Sequence, residues 1–321
     1  MRTVVITGGA GSIGLHLAEA LVRKGVRVVV VDSFDGTLYD PRIKRANVRA
    51  VLSSLGEGER ARFHVIERDV LDASVDDLPI READAVVHLA ALAGVRPSIE
   101  APRRWLETNV IGTQAALDLA RALGARRSVL ASSSSVYGVC PDVPWREDAR
   151  LVPISPYAAS KLAAEHACAV ASRLWDMSCV ALRFFTVYGP RQRPDLFIAK
   201  AMEAAYAGTP LTLFGDGRSE RDYTYVSDIV EGILAALDAD IEGFEAVNLG
   251  SDRPVPLLDL VRAIEEATGR RIDVRHAPAQ PGDVPRTWAD LSKARALLGW
   301  APRVPLAEGL SRQAEQHEAT I

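Results

Sequence analysis

The first fourteen residues constrain this chain more than any other stretch. Val4-Val5-Ile6 is an apolar run that stops at Thr7, and glycines follow at positions 8, 11 and 14 as an amphipathic stretch, Gly11–Lys24, begins. A strand that turns into a helix through this spacing uses Gly8, Gly11 and Gly14 for different ends: the tight turn, close approach of backbone amides to an anion, and packing of the helix against the strand. Free N–H groups at the helix start, together with the positive end of its dipole, favour a pyrophosphate. The next apolar run, Val26–Val31, ends at Asp32, 18 residues after Gly14. A carboxylate there accepts hydrogen bonds from ribose hydroxyls and repels a further phosphate, so the pattern predicts a dinucleotide of the NAD type. Asp69-Val70, after a later strand, either meets the adenine or simply turns the chain.

The same alternation runs through the first half. Phe63–Ile66, Ala85–Leu89 and Ser128–Ala131 read as further strands with helical patterns between them, which implies a parallel sheet wrapped by helices. Val28-Val29-Val30-Val31 is unbroken, as expected when both faces of a strand are covered. Beyond about Arg183 the texture changes: turn clusters at Tyr188-Gly189-Pro190, Phe214-Gly215-Asp216-Gly217 and Gln280-Pro281-Gly282-Asp283 separate shorter elements, with helices near Leu257–Thr268 and Leu291–Leu298. The prediction is an α/β protein: a doubly wound parallel (Rossmann) sheet over 1–188 carrying the cofactor and catalytic groups, and a smaller mixed lobe mainly over 189–321, parts of which return to the larger domain.

Composition removes several alternatives. The 321 residues carry a net charge of −4, which disfavours a nucleic-acid binder built on a basic surface. No run approaches the ~18 apolar residues of a membrane span, and no targeting segment is read, so a cytoplasmic protein is expected. Cys140, Cys168 and Cys179 match neither zinc nor CxxC spacing and read as reduced thiols. His88, on an apolar strand, reads as a packed, hydrogen-bonded histidine, and no metal is expected.

The chemistry is concentrated downstream. Tyr157 and Lys161 lie four residues apart in a helical run from Ser155 to Trp175, so phenol and ammonium address one pocket. A cation beside a tyrosine favours the phenolate, which makes Tyr157 a general base. Ser132-Ser133-Ser134-Ser135 directly follows the apolar run ending at Ala131, at the strand edge where ligands bind in open α/β sheets.

With TGGAGSIG at 7–14, HLAA at 88–91, TNVIGT at 108–113, SSSSVYG at 132–138, YAASK at 157–161, RFFTVYGP at 183–190 and GDGRSERDYTYVSDIV at 215–230, the chain resembles the extended short-chain dehydrogenase/reductases, in their nucleotide-sugar epimerase and dehydratase branch. The resemblance implies NAD as cofactor and a UDP-sugar as substrate. Ser133, Tyr157 and Lys161 would be the catalytic trio. NAD would touch Gly8, Gly11, Ser12, Ile13, Gly14, Asp32, Asp69, Val70, Leu89, Ala90, Ala91, Tyr157 and Lys161. Asn109 would either lie beneath the nicotinamide or serve the structure alone. Thr186 and Arg221 would touch the UDP-sugar and its phosphates, and Ser133 and Ser134 the sugar. Trp105 and Trp175, on long amphipathic helices, belong either to a four-helix homodimer interface or to the core.

Dehydratases of this branch carry an Asp-Glu pair after the catalytic hydroxyl, where this chain has Ser134-Ser135; serine is too weak an acid or base to expel water, so 4-epimerisation through a 4-keto sugar is the expected outcome. Arg191-Gln192-Arg193-Pro194-Asp195, Gln280-Pro281-Gly282-Asp283-Val284, Ala93-Gly94-Val95-Arg96 and the Tyr39–Asn47 segment with Lys44-Arg45 look like their counterparts in UDP-glucuronate 4-epimerases. A guanidinium meets a carboxylate with two parallel bonds, and Arg193, helped by Thr186, is the leading candidate for the sugar carboxylate, with Arg96 in reserve. Gln280 and Thr287 stand where UDP-galactose 4-epimerases have an arginine and a tyrosine; the smaller Thr287 leaves room for a larger or charged substituent, and by the same resemblance Gln280, Asp283 and Thr287 would touch the substrate. UDP-glucose and UDP-N-acetylglucosamine epimerases, a UDP-glucuronate decarboxylase, a 4,6-dehydratase and an idle NAD-binding sensor remain the competing readings.

Overall fold

Alternate residues of the first strands enter two different cores. In Thr3–Thr7 (β1), Val4 and Ile6 pack on one face and Val5 on the other; in Arg27–Asp32 (β2), Val28 and Val30 take the first face while Val29 and Val31 take the second. Because the strand period is two and helices cover both sides, an unbroken valine run serves both cores at once.

The computed structural model describes residues 2–278 and 284–319. After β2 come β3 (Phe63–Glu67), β4 (Ala85–His88), β5 (Arg127–Ser133) and β6 (Ser178–Phe184). Then follow β7 (Thr186–Tyr188), β8 (Leu211–Phe214), β9 (Glu220–Tyr225), β10 (Phe244–Leu249), β11 (Pro254–Pro256) and β12 (Val274–Ala277). Seven strands form one sheet in the order β10-β6-β5-β4-β1-β2-β3, and every pairing in it is parallel. The order reverses between β1 and β4, and a crevice at the carboxyl ends of the strands is expected there. The smaller elements pair as β11-β9-β7 and β12-β8 around a core that includes Tyr188, Ile198, Met202, Leu213 and Leu260, while β10 extends the large sheet.

Trp105 departs from the expected long helix. It lies in a short helix, Pro102–Leu106, that opens into a wider π-helical turn over Glu107–Ile111 before Gly112–Ala122 resumes. Its ring is buried to 1% exposure and is core. Among the described residues, no helix is long and apolar enough to cross a membrane.

His88 closes β4 inside the protein. Its Nδ1 is 2.6 Å from Thr7 Oγ1 and its Nε2 3.1 Å from Thr113 Oγ1. Burial, with Lys161 adding repulsion, pushes its pKa down to about 3. The folded protein therefore keeps His88 neutral where the unfolded chain binds a proton, and this share of stability, complete above about pH 6.5, is lost as pH falls toward 3. At pH 5 the loss is about 2 kcal/mol. Urea unfolding of wild type and His88→Gln across pH 4–8 should show a shallower acid decline in the variant; parallel declines would refute the assignment.

Candidate active site

A cleft of about 720 Å³ opens at the carboxyl ends of the sheet strands, a size suited to a cofactor and a small substrate together. One end is made by the turn after β1 and the helix Ser12–Arg23. Gly8 has a φ of 70°, and a side chain there would set its first carbon 2.4 Å from the Ala90 nitrogen; at Gly14 the same carbon would lie 2.5 Å from Gly9 Cα. Both positions are closed to any residue but glycine, which is what holding the helix start against the β4 loop demands. Gly8, Gly11, Ser12, Ile13 and Gly14 line the cleft, and the helix has no side-chain cap, so its first turn presents backbone N–H groups suited to an anion.

Asp32 ends β2 at 4% exposure. Its Oδ2 accepts from Ala10 N at 3.0 Å, and its Oδ1 from Phe34 N at 2.8 Å and Lys44 Nζ at 3.1 Å. Asp69 and Val70 form the adjoining wall, with Leu89, Ala90 and Ala91 across from them. The cations at this end are all spoken for: Lys44 by Asp32, Arg45 by Glu67, Arg68 by Asp77 and Arg104 by Asp35. The pairings of Lys44 and Arg104 follow from no local pattern in the chain, since their acidic partners sit 12 and 69 residues away.

Asn109 is placed differently from a nicotinamide contact. It is 1% exposed; its Oδ1 accepts from Leu92 N at 2.8 Å and its Nδ2 donates to Leu92 O at 3.0 Å and Ser160 Oγ at 2.9 Å. With its amide fully engaged, it clamps the loop after β4 to the helix Pro156–Leu174, and the wide turn at Glu107–Ile111 sets it inward.

At the centre, Ser133 ends β5 and Tyr157 and Lys161 project from Pro156–Leu174; all three, with Ser134, line the cleft. Burial raises the Tyr157 phenol above its ordinary pKa, while the hydrogen bond with Ser133 and the charge of Arg193 pull it down. Lys161, expected as the cation beside the phenol, lines the same cleft and commits one of its three N–H bonds to the β5 backbone. The Lys161 ammonium donates to Ala131 O at 2.8 Å, and burial pushes its pKa down to about 8 against the opposing pull of Glu165. Helical spacing puts both groups on one face, and the lysine stem reaches the β5 backbone. Glu165, one turn on, is itself held in a buried ion pair with Arg183 at 2.8 Å and accepts from Ser132, tying β5, β6 and the helix together behind the site.

The far end is formed by Thr186, Gln192 and Arg193. Arg193 is 17% exposed and bonds Asp195 through two parallel contacts, Nε to Oδ1 at 2.9 Å and Nη2 to Oδ2 at 2.6 Å. Three other expected contacts are not on the cleft walls. The Arg96 guanidinium lies 4.4 Å from the centre of the Phe214 ring. Arg221 on β9 donates to Glu220 O at 2.9 Å. Thr287, buried, accepts from Asp222 N at 3.1 Å, so its hydroxyl braces β9. Gln280 and Asp283 lie outside the described residues. Among the described residues, no group of three or more His, Cys, Asp or Glu could hold a metal ion.

The family model described as GDP-mannose 4,6 dehydratase matches residues 5–313. UDP-glucuronate 4-epimerase of Thermodesulfobacterium geofontis is 36% identical over 97% of this chain and 95% of its own. The crystal structure of UDP-glucuronic acid 4-epimerase from Bacillus cereus, in complex with UDP-glucuronic acid and NAD, superposes with a TM-score of 0.90 at 34% identity over all of both chains. UDP-glucose 4-epimerase of Thermotoga maritima, solved with UDP-glucose, gives 0.86 at 30% identity over 99% of each. Together with the glycine turn, the buried Asp32 and the Ser133–Tyr157–Lys161 cleft, these matches place the chain in the extended short-chain dehydrogenase/reductase family, in its nucleotide-sugar epimerase and dehydratase branch.

Proposed function

We propose that this protein interconverts UDP-glucuronate and UDP-galacturonate by NAD-dependent 4-epimerisation. The observation that carries the substrate is Arg193: a largely buried guanidinium in the same cleft as Tyr157, close enough for its charge to act on the phenol. A C6 carboxylate on the sugar matches a guanidinium there in charge and geometry. Relatives and structural neighbours that act on or bind uronate sugars support the same choice.

NAD fits the other end on the evidence of the glycine cradle, which an added Cβ would fill, and of Asp32. The buried Asp32 carboxylate at the end of β2 would repel the 2′-phosphate of NADP. When bound, NAD takes the hydride from C4 of the sugar and returns it. The chain's own residues do the rest. Tyr157 accepts the proton of the C4 hydroxyl, Ser133 donates to that oxygen as it becomes a carbonyl, and Lys161 holds positive charge beneath them. Thr186 helps Arg193 hold the carboxylate while the sugar turns, and once C4 presents its other face Tyr157 gives its proton back to O4. Ser134 and Ser135, where an acid and base would be needed to lose water, leave the keto sugar no outlet by dehydration.

An NMR time course of the purified protein with UDP-glucuronate, and with UDP-glucose and UDP-N-acetylglucosamine in parallel, tests this. UDP-galacturonate should appear without net reduction of NAD; turnover of a neutral sugar with UDP-glucuronate untouched would overturn the substrate.

In this reading residues 1–188 form the cofactor and catalytic half and 189–321 mainly the half that closes on the UDP-sugar. We place the enzyme in the cytoplasm, where its substrates and its three free thiols belong; recovery from an extracytoplasmic fraction would argue otherwise. We also propose a homodimer. Leu106, Ile111, Val170 and Leu174 are 44%, 58%, 56% and 70% exposed on neighbouring helical segments, an apolar face larger than scattered surface residues explain. Leu174→Glu should sediment as a monomer where wild type sediments as a dimer, and a monomeric wild type at micromolar concentration would remove the proposal.

A further inference from the structure

A guanidinium has two edges that can each hold a carboxylate by parallel N–H bonds: the side edge, Nε with one terminal nitrogen, and the end edge, the two terminal nitrogens. Asp195 takes the side edge of Arg193 through Nε and Nη2. The end edge keeps one N–H bond of Nη1 and one of Nη2 out of that pairing.

The loop that carries the pair has little freedom. Arg191 sits at a φ of 60°, a left-handed conformation that most side chains avoid and that persists only where the surroundings fix it. Its Nη1 donates to Glu19 Oε2 at 3.0 Å, its backbone N–H to Gln316 Oε1 at 2.6 Å, and next to it Gln313 Nε2 donates to Gln192 Oε1 at 2.9 Å. His16 Nε2 lies 3.0 Å from Pro190 O. The loop is thus fastened both to the helix Ser12–Arg23 and to the C-terminal helix Leu306–Glu318. Such fastening exceeds what a solvated arginine needs, and it sets the position of the guanidinium as well as its charge.

We propose that Asp195 is a positioning residue that holds Arg193 by one edge so that the other edge fixes the C6 carboxylate of the sugar and thereby restrains decarboxylation of the 4-keto intermediate. This rests on the UDP-glucuronate reading. The oxidised sugar is a β-keto acid. If its C5–C6 bond swings parallel to the π orbitals of the C4 carbonyl, that bond breaks. Its electron pair then forms the C4–C5 double bond while the carbonyl pair moves to O4, carbon dioxide leaves, and C5 takes up a proton. The hydride removed at the start then returns to C4 and the product is a UDP-pentose. A guanidinium free to pivot lets the carboxylate follow the ring into that alignment. One clamped by Asp195 keeps the C5–C6 bond near the plane of the carbonyl.

The test compares holoenzymes of wild type, Asp195→Asn and Asp195→Glu with UDP-glucuronate, reading UDP-galacturonate and UDP-pentose by NMR alongside KM, bound NAD and melting temperature. Asparagine turns an amide N–H toward a guanidinium N–H and breaks the parallel pair. In Asp195→Asn the ratio of UDP-pentose to UDP-galacturonate should rise about tenfold and KM for UDP-glucuronate about tenfold, with kcat changed less than KM. Asp195→Glu, which keeps the charge on a longer stem, should give a rise of about threefold. A folded, NAD-bound Asp195→Asn with ratio and KM within twofold of wild type overturns the inference. If Asp195→Asn does not fold, an unchanged ratio in Asp195→Glu does so in its place. A wild-type enzyme that leaves UDP-glucuronate unconverted defeats the substrate reading itself, and this inference with it.

Discussion

In Tyr157→Phe, kcat for 4-epimerisation should fall by about 10²–10⁴, with KM for the UDP-sugar changed by less than about threefold. The substitution removes one oxygen and leaves the ring that fills the same space, so cofactor and substrate binding lose little. What disappears is the phenol that bonds Ser133 in the cleft. The pH dependence separates loss of a proton acceptor from a shift in geometry. Burial holds Tyr157 above its ordinary pKa, with Ser133 and Arg193 pulling the other way, so the base is mostly protonated at neutral pH. A reaction that needs it deprotonated must speed up as pH rises. Wild-type kcat/KM should therefore climb from pH 6 toward 9, and the residual activity of Tyr157→Phe should lack that climb. A variant that keeps a tenth or more of kcat, or the same alkaline rise, would assign the proton to another group.

Local patterns carried the parts of this molecule that depend on neighbours in the chain. The turn at Gly8–Gly14 and the carboxylate at Asp32 follow from one strand–helix–strand unit, and the valine runs follow from a sheet buried on both faces. What spacing cannot supply is which acceptor a flexible side chain takes. Tyr157 and Lys161 share a helical face, yet the lysine ends on Ala131, 30 residues away, a choice made by the packing of β5 against the helix. Asn109 stands in a recognisable motif, but its amide is committed by Leu92 and Ser160, 17 and 51 residues distant. Thr287 sits at a position suggestive of a sugar pocket and is claimed by Asp222. Trp105 read as part of one long amphipathic helix, with interface and core both open, whereas a short helix and the wide turn at Glu107–Ile111 break that run; no residue type announces that insertion.

Arg193→Ala should lower kcat/KM for UDP-glucuronate by about 10²–10³ while changing that for UDP-glucose by less than about fivefold, because truncating one member of a desolvated charge pair costs roughly 2–5 kcal/mol. Two effects add. The sugar carboxylate loses its parallel bonds, and Asp195, which pairs with Arg193, is left as an uncompensated negative charge near that carboxylate. The second contribution can be isolated. Adding Asp195→Asn to Arg193→Ala removes the repulsion and should recover part of the lost affinity, although Asp195→Asn alone weakens it; that reversal of sign is the signature of two residues acting as a unit. The alanine variant should also move the alkaline rise of kcat/KM to higher pH, since a positive charge that pulls the Tyr157 phenol down is gone. If UDP-glucuronate and UDP-glucose lose equal efficiency, Arg193 serves the phosphates or the loop and not the carboxylate. If the discrimination collapses but the pH profile stays, its charge reaches the sugar without reaching the base, and the guanidinium selects the substrate while the phenol is tuned by Ser133 alone.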